Sequence, residues 1–375
     1  MREIVQRKLS HLDICANQDV ESVRSTLLEE VELFHEALPE LSFDEIDPSV
    51  DLFGRRLRSP ILISGMTGGA DRALAINRAL AATAQELGFA MGLGSQRPML
   101  EDPGLASTYS IRDIAPDILL FANIGCVQAG QSSSAQVGEL VDAVGADALC
   151  IHLNAAQELA QDEGDRDFRG CHETIQLLVK ELPVPVIVKE TGCGFSPKTL
   201  VRLREAGVAA VDVAGAGGTS WPGVESLRGS PRQRALGDAL REWGIPTSAS
   251  LIYAQRAGVP AIASGGLRSA QDILKALALG ASAAGLALPF LRAFEAQGEE
   301  GVRSYGKTLA ETLRAMMLLV GARTTADLLR IPVILGQRLE AWVHESGGER
   351  GFQRVGEHPA RRSAREHLRI HEVAV

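Results

Sequence analysis

The chain has 375 residues, 38 basic against 47 acidic side chains, a formal charge of -9, and 45% hydrophobic and 23% charged residues. It is too apolar to be a disordered polypeptide, and an acidic chain without a lysine-rich block has no electrostatic basis for holding nucleic acid. No run reaches the roughly 18 apolar residues of a membrane helix, and the polar start Met1 to Ser10 lacks a secretion signal, so the expected compartment is the cytosol with no membrane partner.

Residues 1–58 read as a polar N-terminal arm and lead-in, helix-like over Val20–Leu28 and turning at Phe43–Pro48. Eight short apolar runs follow between 59 and 303. They are Pro60–Gly65, Ala90–Gly94, Ile118–Ile124, Ala148–Leu153, Val184–Lys189, Ala210–Ala214, Ala261–Gly265 and Ala283–Leu288. Amphipathic stretches separate most of them: Ala73–Leu87, Ser134–Val144, Cys171–Glu181, Lys198–Ala206 and Ala270–Leu279. Several of these stop at a glycine (Gly88, Gly145, Gly207, Gly280), as a helix-to-strand loop should. Residues 304–343 read as helices closing the domain, and 344–375 as a flexible charged tail. The cysteines Cys15, Cys126, Cys150, Cys171 and Cys193 are scattered without a CxxC pair, and read as reduced thiols.

Continuous apolar strands alternating with helices imply a parallel sheet covered on its faces. Eight of them favour an α/β fold of the (β/α)8 TIM-barrel type, with an N-terminal arm and a C-terminal helical extension. Strand one runs into Met66-Thr67-Gly68-Gly69 and offers no GxGxxG, so a doubly wound dinucleotide fold is the weaker reading.

In such a barrel the chemistry sits at the C-terminal strand ends. Strand one delivers Met66, Thr67 and Gly68, and strand two Ser95, Gln96 and Arg97. Strand three delivers Asn123, strand four His152, Asn154, Gln157 and Glu158, and strand five Lys189 and Glu190. Strand six delivers Gly217 to Trp221, strand seven Ser264 to Gly266 with Arg268, and strand eight Ala287 and Leu288. Lys189, after Val-Ile-Val, points into the mouth, where a lysine calls for an anionic or carbonyl partner. Gly265-Gly266-Leu267-Arg268 opens a helix and reads either as a tight turn or as an anion cradle. With Gly217-Gly218-Thr219 beside it, a phosphate site is the better reading. Arg7, Lys8 and His11 read from spacing alone as a solvated arm, and alternatively as a grip on a diphosphate. Glu158 is either a helix N-terminal acid or, with substrate phosphates, a Mg²⁺ ligand.

Taken together, RKLSH (7–11), MTGG (66–69), GLGSQR (92–97), Asn123, HLNAAQE (152–158), VKETG (188–192), GAGGTSW (215–221) with Glu225, ASGGLR (263–268) and GLALPFL (285–291) form a specific pattern. The chain resembles the type 2, FMN-dependent isopentenyl-diphosphate isomerases from about residue 5 to about 343. The resemblance implies FMN across the barrel mouth, held by Met66, Thr67, Gly68, Ser95, Asn123, Lys189 and Thr219. Its phosphate would lie at Gly266, Leu267, Arg268, Ala287 and Leu288. It further implies substrate contacts from Arg7, Lys8, His11, Ser95, Gln96, Arg97, His152, Asn154 and Gln157, Mg²⁺ on Glu158, NADPH as reductant of the flavin, and a homo-oligomer of four or eight chains. Lys189, Gln157, Glu225, His152 and Trp221 are the candidates for catalysis. Two departures stand out. Ala214 replaces a serine common in relatives, and the tail matches nothing in the family.

An unactivated alkene is a weak base, so moving its double bond needs a strong acid, a nearby base and a field that stabilises positive charge. Protein acids are scarce at the mouth, so reduced FMN is the expected acid–base group. The rival reading is an FMN oxidoreductase of the hydroxy-acid type on the same barrel, but SGGLR carries Arg268 without the histidine that chemistry needs.

Overall fold

The computed structural model describes residues 2–345; the expected tail beyond them lies outside the described residues. Eight parallel strands close into a barrel: β1 (Ile61–Ile63), β2 (Ala90–Gly92), β3 (Leu120–Gly125), β4 (Ala148–Leu153), β5 (Val186–Glu190), β6 (Ala210–Asp212), β7 (Ala261–Ala263) and β8 (Ala283–Leu286). β8 returns to β1 through the pair Ala284↔Ile61. Helices lie between successive strands and pack over the outside. This is the (β/α)8 TIM barrel that the alternating pattern predicts.

The helix Asp71–Leu87 shows how the sequence encodes the outer layer. Its buried residues Ala73, Ile76, Asn77, Leu80, Ala81 and Ala84 recur at three- and four-residue steps, which is one face of a helix. Gly88 ends it at φ +70°, with its N–H on the Ala84 carbonyl. A side chain there would be strained and would run into Arg58.

Successive strand residues point to opposite faces, and this period of two organises the interior. Leu62, Ala90, Phe121, Ala148, Cys150, Ile187, Ala210, Ile262 and Ala283 form one buried cluster inside the barrel. Their neighbours Ile61, Ile63, Met91, Leu120, Ile151, Val188 and Val211 pack outward in the larger core shared with the helices. A short antiparallel hairpin, Val50–Leu52 with Arg55–Leu57, adds Leu52 and Leu57 to the interior cluster and plugs the N-terminal end of the barrel. Phe53 at its turn meets the Phe121 ring edge-on at 5.9 Å. Each leucine so buried contributes about 1.5–3 kcal/mol. The opposite end, where the strands finish, stays open for chemistry.

The arm departs from its expected form. The helix lies over Arg2–Asn17, whereas residues 20–27 are non-helical and lead to a single tight turn at Leu28–Glu30. The cause is tertiary: Val20 is fully buried, its carbonyl accepts from Ser220 N–H (2.8 Å), and Ser22 N–H donates to the Gly218 carbonyl (2.8 Å). The segment therefore pairs with the loop after β6. The turn near Phe43 is present as Phe43–Glu45, closed by a Ser42/Glu45 capping box. At the other end, the long helix Leu288–Leu319 begins directly after β8, with non-helical backbone at Gln297 and Gly298. Within the stretch expected to be helical, Val333–Leu335 is a strand, antiparallel to Val31–Leu33. Its β-branched residues stand between Pro332 and Gly336, which suits a strand better than a helix. Among the described residues no helix is long and apolar enough to cross a membrane.

Candidate active site

The barrel interior turns from apolar to polar in one step of two residues. Above Leu62 stands Ser64, above Phe121 Asn123, above Cys150 His152, above Ile187 Lys189, above Ala210 Asp212 and above Ile262 Ser264. All of these but Asp212 line one cavity at the C-terminal mouth. This layer is its floor.

Lys189 finds the partner its position requires. Its Nζ donates to Asp212 Oδ2 (2.7 Å) and Ser264 Oγ (3.1 Å), and Ser264 Oγ donates to Asp212 Oδ1. Lys189 and Asp212 are directly opposed in the β5–β6 ladder. Asp212 is 3% exposed, so the carboxylate compensates the lysine out of reach of water. His152 Nδ1 lies 2.8 Å from Asn123 Oδ1, which can only accept, so Nδ1 carries the proton and Nε2 is bare. Burial, with the charges of Lys189, Lys8 and Arg97, holds the pKa of His152 down to about 4. The ring is therefore neutral near pH 7. Glu190, beside Lys189, accepts backbone N–H bonds from Thr191, Cys193 and Gly194. Burial still pushes its pKa up to about 7.

The N-terminal helix forms the roof, presenting Arg7, Lys8, His11, Leu12 and Cys15 to the same cavity. Lys8 Nζ donates to the carbonyls of Gly68 (2.9 Å) and Ser95 (2.8 Å) and to Tyr109 Oη (3.0 Å). Burial and then the neighbouring Arg7 lower its pKa to about 7. His11 Nε2 meets Glu225 Oε1 at 2.8 Å, and its ring stands edge-on to Trp221 at 5.4 Å. Burial lowers the pKa of His11, with Glu225 pulling the other way.

Glu158 is buried at the start of the helix Ala155–Ala160. Its oxygens accept from Asn154 Nδ2 (2.7 Å) and the Asp165 N–H (2.8 Å). Among the described residues no group of three His, Cys, Asp or Glu gathers as a metal nest. A cation here would take one carboxylate and fill its other positions from phosphate and water, which is how Mg²⁺ is commonly held.

At the β7 end, Gly265 and Gly266 adopt φ +91° and +83° and line the cavity, and their N–H groups have no partner among the described residues. A side chain on Gly218 would strike the Gly266 backbone, so the glycines of the β6 and β7 loops also permit this close approach. Arg268 is less available than its position suggests. Glu21 holds its guanidinium (2.6 Å) and Asp272 its backbone N–H (2.9 Å). Two buried hydroxyls, Ser64 Oγ and Thr67 Oγ1, have no hydrogen-bond partner, and both residues line the cavity. Orphan hydroxyls and free backbone donors on one wall fit a phosphorylated, heteroatom-rich group such as FMN.

The cavity thus brings together Arg7, Lys8, His11, Met66, Thr67, Ser95, Arg97, Asn123, His152, Asn154, Gln157, Glu158, Lys189, Thr219, Trp221, Gly266, Arg268, Ala287 and Leu288. Four expected site residues are not on its wall. Gly68 stands behind it, packed against the Tyr109 ring, and reaches the site through its carbonyl on Lys8. Leu267 is in the core. Gln96 is fully buried, its side chain bridging the Leu140 carbonyl (2.8 Å) and the Asn123 N–H (3.0 Å), which braces the β2 and β3 ends. Glu225 is buried behind Gln157, Gln161 and His11. Sequence reasoning missed Ser64, Asp212 and Gln161. For the first two the signal was present: both lie two residues above an inward apolar residue.

A barrel of this shape with these donors is a flavin barrel. The FMN-dependent dehydrogenase family matches residues 128–333, and the fold is shared with mandelate oxidase. In a variant of that oxidase with a monooxide FMN adduct, the TM-score is 0.62 at 21% identity, covering 86% of this chain and 95% of the oxidase. Sequence similarity is much stronger to the isopentenyl-diphosphate delta-isomerases. That of Methanosarcina mazei is 43% identical over 353 residues (92% of this chain, 95% of the relative). That of Methanothermobacter thermautotrophicus is 45% identical over 352 residues (92% and 97%), and that of a Synechococcus 48% over 334 (88% and 96%). The chain belongs to the FMN-dependent isopentenyl-diphosphate delta-isomerase family.

Proposed function

We propose that the chain interconverts isopentenyl diphosphate and dimethylallyl diphosphate by a 1,3-allylic proton shift, with FMN across the strand ends and Mg²⁺ at the diphosphate. The observation that carries this is the roof: Arg7, Lys8 and His11 stand over the same cavity as Glu158 and the unpartnered Ser64 and Thr67 hydroxyls. The Arg7 guanidinium with the Lys8 and His11 nitrogens above a lone carboxylate suits a diphosphate bridged by a divalent ion, whose negative charge would favour the protonated forms of both groups. The bound flavin, once reduced, supplies the acid–base chemistry that an unactivated alkene demands.

The chain's own residues do the rest. Thr67, Ser95, Asn123, Lys189 and Thr219 would hold the ring system, and Gly265, Gly266, Ala287 and Leu288 its phosphate. Glu158 would hold Mg²⁺. His152, neutral near pH 7, offers a bare Nε2 as an acceptor and is no strong acid. Trp221 walls the cavity beside His11 and excludes water from positive charge developing on the substrate. Gln157, anchored through Glu225, presents an amide to that charge. NADPH would serve only as an initial reductant, because the reaction is redox-neutral. The setting is cytosolic and the assembly homo-oligomeric in this reading.

The test is direct. Purified protein should be yellow and should isomerise isopentenyl diphosphate with Mg²⁺ once the flavin is reduced by NADPH or dithionite. Sustained full turnover with oxidised flavin, anaerobically and without reductant, refutes the role of the reduced state. Lys189→Ala should weaken the reduced state and slow turnover. Stoichiometric consumption of NADPH or of a hydroxy acid would favour the oxidoreductase instead.

A further inference from the structure

Glu225 is fully buried and accepts hydrogen bonds from side chains on three elements. Oε1 takes His11 Nε2 (2.8 Å), Gln157 Nε2 (3.1 Å) and Gln161 Nε2 (2.8 Å), and Oε2 takes Arg228 Nη1 (2.5 Å). An ionised carboxylate only accepts, so both glutamines must turn their N–H groups toward it and their carbonyls away. The Gln161 carbonyl then meets Arg7 Nη1 at 3.1 Å. The Gln157 carbonyl has no partner among the described residues, and Gln157 lines the cavity. Two lines of donors therefore converge on Glu225, one from Arg7 on the roof through the Gln161 amide and one from the Gln157 amide at the cavity wall.

We propose that Gln161 is a positioning residue that ties the seating of the N-terminal helix to the aim of the Gln157 amide. Glu225 sets which way the Gln161 amide turns, and Arg7 locks it there from the carbonyl side. Gln161 and His11 occupy two directions on Glu225 Oε1, and the direction left to Gln157 turns its carbonyl toward the cavity. An amide whose N–H is held by a carboxylate carries a more negative carbonyl oxygen, which suits a substrate gaining positive charge. The diphosphate end of the substrate, by drawing on Arg7, thereby readies the end where the proton moves. This inference rests on the isomerase reading above.

The charged and titratable groups around Glu225 are His11 and Cys15 of the N-terminal helix and Arg228 of its own helix. Arg7 and Glu163 stand one step further out. The helix Ala155–Ala160 and its cap add only the uncharged Gln157 and Gln161. Burial raises the pKa of Glu225, yet His11, Gln157 and Arg228 hold it to about 2, so it is ionised throughout the working range. With a donor removed, its pKa rises, and activity should fall as pH drops through the new value.

The experiment measures kcat and KM against pH for the reduced holoenzyme and for Gln161→Leu. The expected result is a kcat loss of about a hundredfold, with KM little changed and a new acid limb in kcat. Loss through KM alone, or a kcat–pH profile like that of the parent, overturns the proposal. Arg7→Met tests it without touching a buried residue. KM should rise and kcat should fall with it; a kcat equal to that of the parent overturns the coupling even if Gln161→Leu fails to fold. A parent enzyme that does not isomerise at all defeats the isomerase reading, whereas this inference fails only against an active parent.

Discussion

The floor and the roof of the cavity each hold a buried carboxylate, and they are built by opposite routes. Asp212 faces Lys189 because the two are partners in one strand ladder, and Ser264 follows on the next strand. Register alone assembles that trio. Glu225 has one local partner, Arg228 of its own helix, but its other donors include His11, from the first helix of the chain, and Gln161, from the end of the short helix after β4. Nothing local aligns them. The floor is as rigid as the barrel, while the roof is correct only when a separate helix is seated. The hydrogen-bond set is thus permanent below, while above only the Arg228 pair is built in and the rest is conditional.

The sharpest way to break this contrast is Asp212→Ala. It leaves Lys189 without its carboxylate in a buried site, and the protein should lose about 3–5 kcal/mol in urea unfolding. A variant as stable as the parent would show that the floor is wet and the pair dispensable. The roof predicts a smaller effect that depends on pH. The folded pKa of Glu225 is about 2, below the ordinary 4.5, so its stabilisation is present above about pH 4.5 and disappears as pH falls toward 2. A shift of that size corresponds to about 3 kcal/mol. Glu225→Gln should therefore trail the parent near pH 7 and converge with it in acid. Parallel stability curves across that window would mean the carboxylate is not ionised in the folded protein. The smallest effect belongs between floor and roof, at Ala214, which lines the cavity with φ +33°. Ala214→Gly relieves a left-handed alanine but adds chain entropy on unfolding, so the gain in Tm should correspond to less than about 1 kcal/mol. A clear loss would show that the methyl group is needed as wall.

How far the chain could be read follows the same division. Strands, their ends and most of the wall were legible because apolar runs, glycine stops and the two-residue period are local. Asn123, His152 and Lys189 come straight from that period. Asp212 follows the same rule, two residues above Ala210, but sits beneath Lys189 and off the cavity wall, so the glycine-rich loop after it carries the stronger local signal. Gln96 and Leu267 were misplaced by proximity: each adjoins a wall residue but points away from the cavity. The arm was the least legible part. Its helix lies earlier than expected, because residues 20–22 pair with the loop after β6, a contact that no local pattern announces. Val333–Leu335 escaped for the same reason, its partner being almost the whole chain away.

The small ribbon joining Val31–Leu33 to Val333–Leu335 sets an order of events during synthesis. On a ribosome the barrel strands emerge in sequence and can begin to pair, but the clasp cannot form until Leu335 has left the exit tunnel. The N-terminal helix upstream of that clasp has an earlier anchor, because residues 20–22 can pair with the loop after β6 as soon as that loop has emerged. A nascent chain cut just short of that ribbon should have its barrel and its cover helix seated, and lack only the final clasp.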